Sequence, residues 1–179
     1  MGADQKGAGI TREDTTRWRH SSRSLLPSPL AAVAGALLWG LFLGANAWVF
    51  LTFAEWRTPS RMTPLVLLFF LGGTIAFPLG HIAYRITSRR DTVEARFAAA
   101  FLSFAVMTIG VTAGLYALQY RLYYAQWHGS FLSVEWVLQF VFTTAGALYQ
   151  FAVVGLRVYF PWGFAALFLL ALHYAAKPR

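Results

Sequence analysis

The tightest constraint on this chain is four long stretches without a single charged residue. Ala31–Phe53 runs 23 residues, Leu65–Tyr84 runs 20, Phe97–Tyr120 runs 24 and Trp136–Leu156 runs 21. A helix rises about 1.5 Å per residue, so the first stretch spans roughly 34 Å and covers a hydrocarbon core of ~30 Å. Lipid offers no water to the backbone. Helices satisfy their amides internally and are the expected form for such segments. A signal-peptide core of about 7–15 residues is shorter than Ala31–Phe53, which is expected as an uncleaved span.

Composition agrees. The chain is 58% hydrophobic and 12% charged. A soluble domain has about 45–50% apolar and about 25% charged residues. The surplus fits a protein whose outside is apolar as well as its core.

After the fourth stretch, Arg157-Val158-Tyr159-Phe160-Pro161 breaks the pattern, and Phe160–Ala176 adds 17 residues, near the lower limit for a span. One helix from Val134 to Ala176 would measure about 64 Å, too long for a single crossing. The chain either turns at Pro161 and crosses again, or the last segment is re-entrant. The expected fold is an all-α integral membrane protein. It is a bundle of five transmembrane helices (about 31–53, 65–84, 97–120, 136–156 and 160–176), the fifth short or re-entrant. Residues 1–28 are polar and are expected as a mostly disordered cytoplasmic tail. The second helix is expected to kink at Pro78, and the third to start with Asp91 as its cap and Glu94 in the capping-box position.

The net charge is +8, carried in short blocks between apolar runs. That pattern favours membrane orientation over a nucleic-acid surface. Lys6, Arg12, Arg17, Arg19 and Arg23 precede the first span, and Arg85, Arg89, Arg90 and Arg96 follow the second. Those two groups share a side when the N-terminus is cytoplasmic, and Arg157 is expected there too. With five crossings the C-terminus falls outside; with four it stays inside. A bacterial plasma membrane is the expected location. Trp48, Trp56, Trp127 and Trp136 mark predicted outer ends, while Tyr84, Tyr159 and Trp162 mark inner ones.

Small residues in rows are candidate packing faces: Gly40 and Gly44 in the first span, Gly72 and Gly80 in the second, Gly110 and Gly114 in the third. The fourth span carries a polar stripe. Glu135, Gln139, Thr143, Gly146, Gln150 and Arg157 fall within about 80° of arc. Such a stripe must face the bundle, a cavity or another subunit. Thr108, Thr112 and Gln119 form a polar face on the third span and are its expected hydrogen-bonding counterpart. Glu135 and Arg157 lie about 33 Å apart along the helix and are expected as headgroup anchors at opposite ends. Tyr116, Tyr120, Tyr123 and Trp127 recur every three or four residues as a candidate aromatic contact face.

Chemistry finds little purchase. The chain has no Cys, no HExxH, no phosphate loop and no carboxylate pair inside a span. An enzyme is therefore disfavoured. His81 and His173 lie within spans. In the five-crossing topology they sit at opposite surfaces, so bis-His haem is not expected, although a re-entrant last segment would weaken that argument. His81 is a weak single-ligand candidate for a metal, and no motif indicates a cofactor. Expected partners are the lipid bilayer, other membrane subunits or a second copy, with no nucleic acid. The leading functional reading is a non-catalytic accessory, assembly or scaffold subunit of a larger membrane complex. The alternative is a small transporter, or a binder of a lipid, quinone or pigment, using the polar stripe.

Overall fold

The computed structural model describes residues 29–54, 59–88, 92–127 and 129–176. These form five helices and, among the described residues, no strand. Helix α1 is Pro29–Phe53, α2 is Pro59–Thr87 and α3 is Val93–Tyr124, extended by a 3-10 turn at Ala125–Trp127. Helix α4 is Val134–Gln150, continued by a π-turn at Phe151–Gly155 and a last turn at Leu156–Val158; α5 is Trp162–Ala176. Four of them (Pro29–Phe53, Met62–Thr87, Val93–Trp127 and Val134–Val158) are long and apolar enough to cross a membrane, and α5 is shorter. This is an all-α multipass membrane bundle. The tail at 1–28, Trp56, Asp91, His128, Lys177 and Arg179 lie outside the described residues.

Helix α2 starts at Pro59, before the charge-free run, and contains both Pro64 and Pro78. One local expectation changes. The cap of α3 is Thr92, whose hydroxyl accepts from the Ala95 amide at 3.3 Å. Either hydroxyl or carboxylate can fill that role, and the helix begins one residue later than a cap at Asp91 would require.

The first three helices pack antiparallel through the small-residue rows. A Cβ on Gly40 would lie 2.7 Å from the Phe70 carbonyl, one on Gly44 3.2 Å from Phe70 Cβ, and one on Gly80 2.6 Å from Phe104 Cδ1. At Gly72 a Cβ would collide with the Thr112 side chain. Without a hydrophobic drive between helices in lipid, such close backbone approach is the main source of attraction. One end of the bundle, the near end, holds the start of α1, the end of α2 and the start of α3. There Thr87 Oγ1 and Ser103 Oγ meet at 3.1 Å. The far end holds the end of α1, the start of α2 and the α3–α4 connection.

Helix α4 enters at the far end, where Ser133 caps it by accepting from the Trp136 amide at 3.1 Å. It then slants. The Arg121 guanidinium lies 3.9 Å from the centre of the Phe140 ring, and Tyr116 pairs with Phe151 at 5.9 Å. Eleven residues of α4 thus correspond to five of α3, so α4 leans away from α3 toward α1. It finishes against Asn46, which donates from Nδ2 to the Val158 carbonyl at 2.6 Å. Asn46 lies seven residues before the far end of α1, so α4 never reaches the near end. This corrects the placement of Arg157, which shares a surface with Leu51, Ala54 and Leu65 at the far end.

After the turn, whose Phe160–Pro161 peptide is cis, α5 completes the traverse. Gly163, Leu167, Ala171 and Ala175 form its buried edge. Tyr174 packs on Phe104 at 5.0 Å and edge-on to Tyr84 at 5.1 Å, close to the near end of α2. The oblique α4 and the short α5 together make one passage, and α5 ends on the side where α1 begins. The expectation of an outside C-terminus after a fifth crossing is corrected accordingly.

Candidate functional site

The centre of the bundle is a polar node wrapped in apolar side chains. Thr108 and Thr112 are both fully buried. Trp39 Nε1 donates to Thr108 Oγ1 at 3.2 Å, Thr112 Oγ1 donates to the Thr108 carbonyl at 2.7 Å, and Tyr159 OH donates to the same carbonyl at 3.4 Å. The node ties α1 and α3 to the turn between α4 and α5. Buried polar atoms that find partners in a dry interior fix one packing arrangement over its neighbours. Tyr159, expected at a headgroup interface, is fully buried and packs on Phe69 at 5.3 Å. The slant of α4 is the reason: the residue that follows it lands inside the bundle.

The two polar faces expected to meet are kept apart. Thr108 addresses α1 and the Tyr159 turn, and Thr112 packs against Gly72 of α2. Gln119 is exposed. On α4, Gln139 Oε1 accepts from the Gly129 amide at 2.9 Å and so staples the connecting loop. Thr143 Oγ1 donates back to the Gln139 carbonyl at 2.6 Å, and Thr144 to that of Phe140 at 2.7 Å. Those hydroxyls are satisfied by their own helix, as Ser and Thr in membrane helices often are. Glu135 is exposed in the first turn, where the helix dipole favours an acid. Gln150 and Arg157 are exposed and come together on the rim of a cavity of about 230 Å³. Phe50, Leu51, Leu65 and Phe69 of α1 and α2 supply much of its apolar wall.

The glycine rows divide. Gly40, Gly44, Gly72 and Gly80 are used inside the chain, whereas Gly110 and Gly114 have nothing within 4 Å of where a Cβ would stand. Their expected packing role within this chain is therefore corrected: they lie on the exposed side of α3, because α4 and α5 approach its other faces. The tyrosine row is also divided. Tyr116 is partly buried against Phe151, while Tyr123 and Trp127 are exposed and pair at 5.4 Å. Tyr124 joins this cluster, 4.6 Å from Tyr120 and 5.7 Å from Trp127.

His81 is buried, with Nδ1 3.0 Å from Tyr174 OH. His173 precedes that tyrosine. The two histidines therefore belong to the same end of the bundle, and the depth argument that separated them fails because α5 descends to the near end. His173 is exposed. Among the described residues, no group of three or more His, Cys, Asp or Glu is placed to hold a metal.

Asn46, Trp39 and Tyr174 are the structural residues that sequence reasoning passed over. A lone Asn in an otherwise apolar span was the available signal, since an amide in lipid needs a partner. Fold and site together define a multipass helical membrane protein. No family model, curated protein or solved structure matches the chain.

Proposed function

We propose that this protein is a non-catalytic subunit that docks in the plane of the membrane against a transmembrane helix of a partner protein, with the exposed side of α3 as its contact. The observation that carries this reading is the open pair Gly110 and Gly114. They sit midway along an exposed row, with Val106 and Leu102 on one side and Leu118 and Leu122 on the other. Small residues framed by large ones make a shallow saddle into which a second helix can settle closely. The remaining glycines of this spacing are already filled by neighbours in the chain, so this saddle is the part of the pattern left over.

Orientation follows from charge. The polar segment before α1 carries five Lys and Arg. Arg85 and Arg96 lie at the near end, with Arg89 and Arg90 between them in sequence, and Lys177 and Arg179 come after α5 in sequence. This supports a cytoplasmic near end.

Purification in mild detergent tests the proposal. A second membrane protein is expected to co-purify, and Gly110→Leu with Gly114→Leu is expected to release it while the helical content stays unchanged. A protein that runs alone as a monomer from native membranes sinks the idea; a self-dimer abolished by the same substitutions relocates it to a second copy. A conducting polar path along α4 has less support, because Gln139 and Thr143 are engaged locally within the helix and its connecting loop.

A further inference from the structure

The far-end cavity is independent of the α3 saddle and has its own chemistry. Its floor and walls are Phe50, Leu51, Leu65, Phe69, Phe151 and Val154, with Tyr116 beside them. Among the described residues its polar side chains are the Tyr116 hydroxyl, the Gln150 amide and the Arg157 guanidinium, the last two solvent- or lipid-exposed. Among the described residues, no carboxylate borders it. The volume of about 230 Å³ suits one chain segment rather than a whole lipid. Ala54, which immediately follows α1, also lines it, so the cavity opens where apolar spans give way to the connections. That is the depth at which headgroups meet acyl chains.

The slant of α4 makes this site. A helix that ran parallel to α3 would carry Arg157 to the near end. Because α4 leans away from α3 to reach Asn46 on α1, its last turns roof a gap between α1, α2 and α3. The π-turn widens the helix here and turns Phe151 into the gap, where it stacks on Phe69 at 6.4 Å. An apolar slot with a cation and an amide donor at its mouth is complementary to an amphiphile bearing a negative headgroup.

We propose that this cavity binds an anionic phospholipid of the bilayer, with part of one acyl chain against Phe69 and Phe151 and its phosphate on Arg157, seconded by Gln150. A guanidinium offers paired donors to phosphate oxygens, which a neutral or zwitterionic headgroup rewards less. A bound lipid would also shield the polar rim of α4 from the hydrocarbon.

The test uses the full chain, delipidated in a neutral detergent, with phosphatidylglycerol, phosphatidylcholine or oleate added. Retained adducts are read by native mass spectrometry and thermal midpoints by intrinsic fluorescence. Phosphatidylglycerol is expected to be retained and to raise the midpoint, with phosphatidylcholine doing neither. Arg157→Gln is expected to weaken phosphatidylglycerol retention about fivefold, in keeping with one basic residue at a charged membrane surface. Arg85→Gln, at the opposite end of the bundle, is expected to leave it unchanged. A bulky Ala54→Trp at the mouth is expected to exclude the lipid and keep the helical content. Equal retention of the two phospholipids overturns the proposal, as does an Arg85→Gln loss equal to that of Arg157→Gln. Oleate that displaces phosphatidylglycerol at equal concentration overturns the phospholipid as the source and leaves a free fatty acid as the ligand. None of these outcomes depends on a protein partner, so failure here and failure of the docking proposal are read separately.

Discussion

Replacing Asn46 with Leu should uncouple the last third of the chain from the first. The two side chains branch at the same carbon, so Asn46→Leu removes the amide with little change of shape. What is lost is the 2.6 Å bond from Nδ2 to the Val158 carbonyl, at a residue only 8% exposed. That carbonyl sits where α4 stops. Pro161 has no N–H to offer, and the Phe160 amide turns back to the Arg157 carbonyl at 3.1 Å. Interhelical hydrogen bonds in membranes average about 0.6 kcal/mol and reach about 1.7. Leaving a buried acceptor without a donor costs about 1–3 kcal/mol. Together these give a loss of about 2 kcal/mol for Asn46→Leu, measured by titration from mild detergent into dodecyl sulfate with tryptophan fluorescence as the readout. The chain has no Cys, so a single Ala171→Cys reports locally on opening of α5. Ala171 is 1% exposed, and its alkylation should accelerate about tenfold or more in the Asn46→Leu background. An unfolding free energy within about 0.5 kcal/mol of the parent, the usual range for inconsequential surface changes, together with unchanged alkylation, would refute the tie between α1 and the α4–α5 turn.

Four further outcomes follow from the packing and the backbone. Gly80→Ala should destabilise by about 1–3 kcal/mol, because its Cβ would stand 2.6 Å from Phe104 Cδ1 and Phe104 is fully buried. Gly110→Ala should instead be neutral or stabilising by up to about 1 kcal/mol in the same titration, since nothing lies within 4 Å and alanine is the better helix former. Thr108→Val should cost about 1–2 kcal/mol by leaving Trp39 Nε1 without its acceptor. Combined with Trp39→Phe the loss should fall short of the sum of the two single changes, as a double-mutant cycle would reveal. Leu132 holds a φ of 65° in the α3–α4 connection, a region that costs a branched residue about 1–2 kcal/mol, so Leu132→Gly should not lower the unfolding midpoint.

Much of the fold was legible from the chain of residues alone. Charge-free runs longer than a bilayer needs can only be spanning helices, so the four long helices and the break before Pro161 follow from length and backbone chemistry. The glycine rows of the first two helices were legible for the same local reason: a residue without a side chain lets a neighbour approach, and Phe70, Thr112 and Phe104 do so.

The direction of α4 was not legible. Periodicity places Gln139, Thr143, Gln150 and Arg157 on one edge, but says nothing of where that edge points or how steeply the helix leans. The lean is decided by partners distant in sequence: Phe140 under Arg121, Phe151 between Tyr116 and Phe69, and the Val158 carbonyl on Asn46. Each contact is short-ranged and joins residues that share no local pattern. From them come the far-end position of Arg157, the buried Tyr159, the meeting of Tyr174 with His81 and the cavity beneath α4. Membrane insertion was settled by hydrophobicity, a property each residue carries by itself. The site was settled by the angle of one helix, which exists only once the other helices are in place.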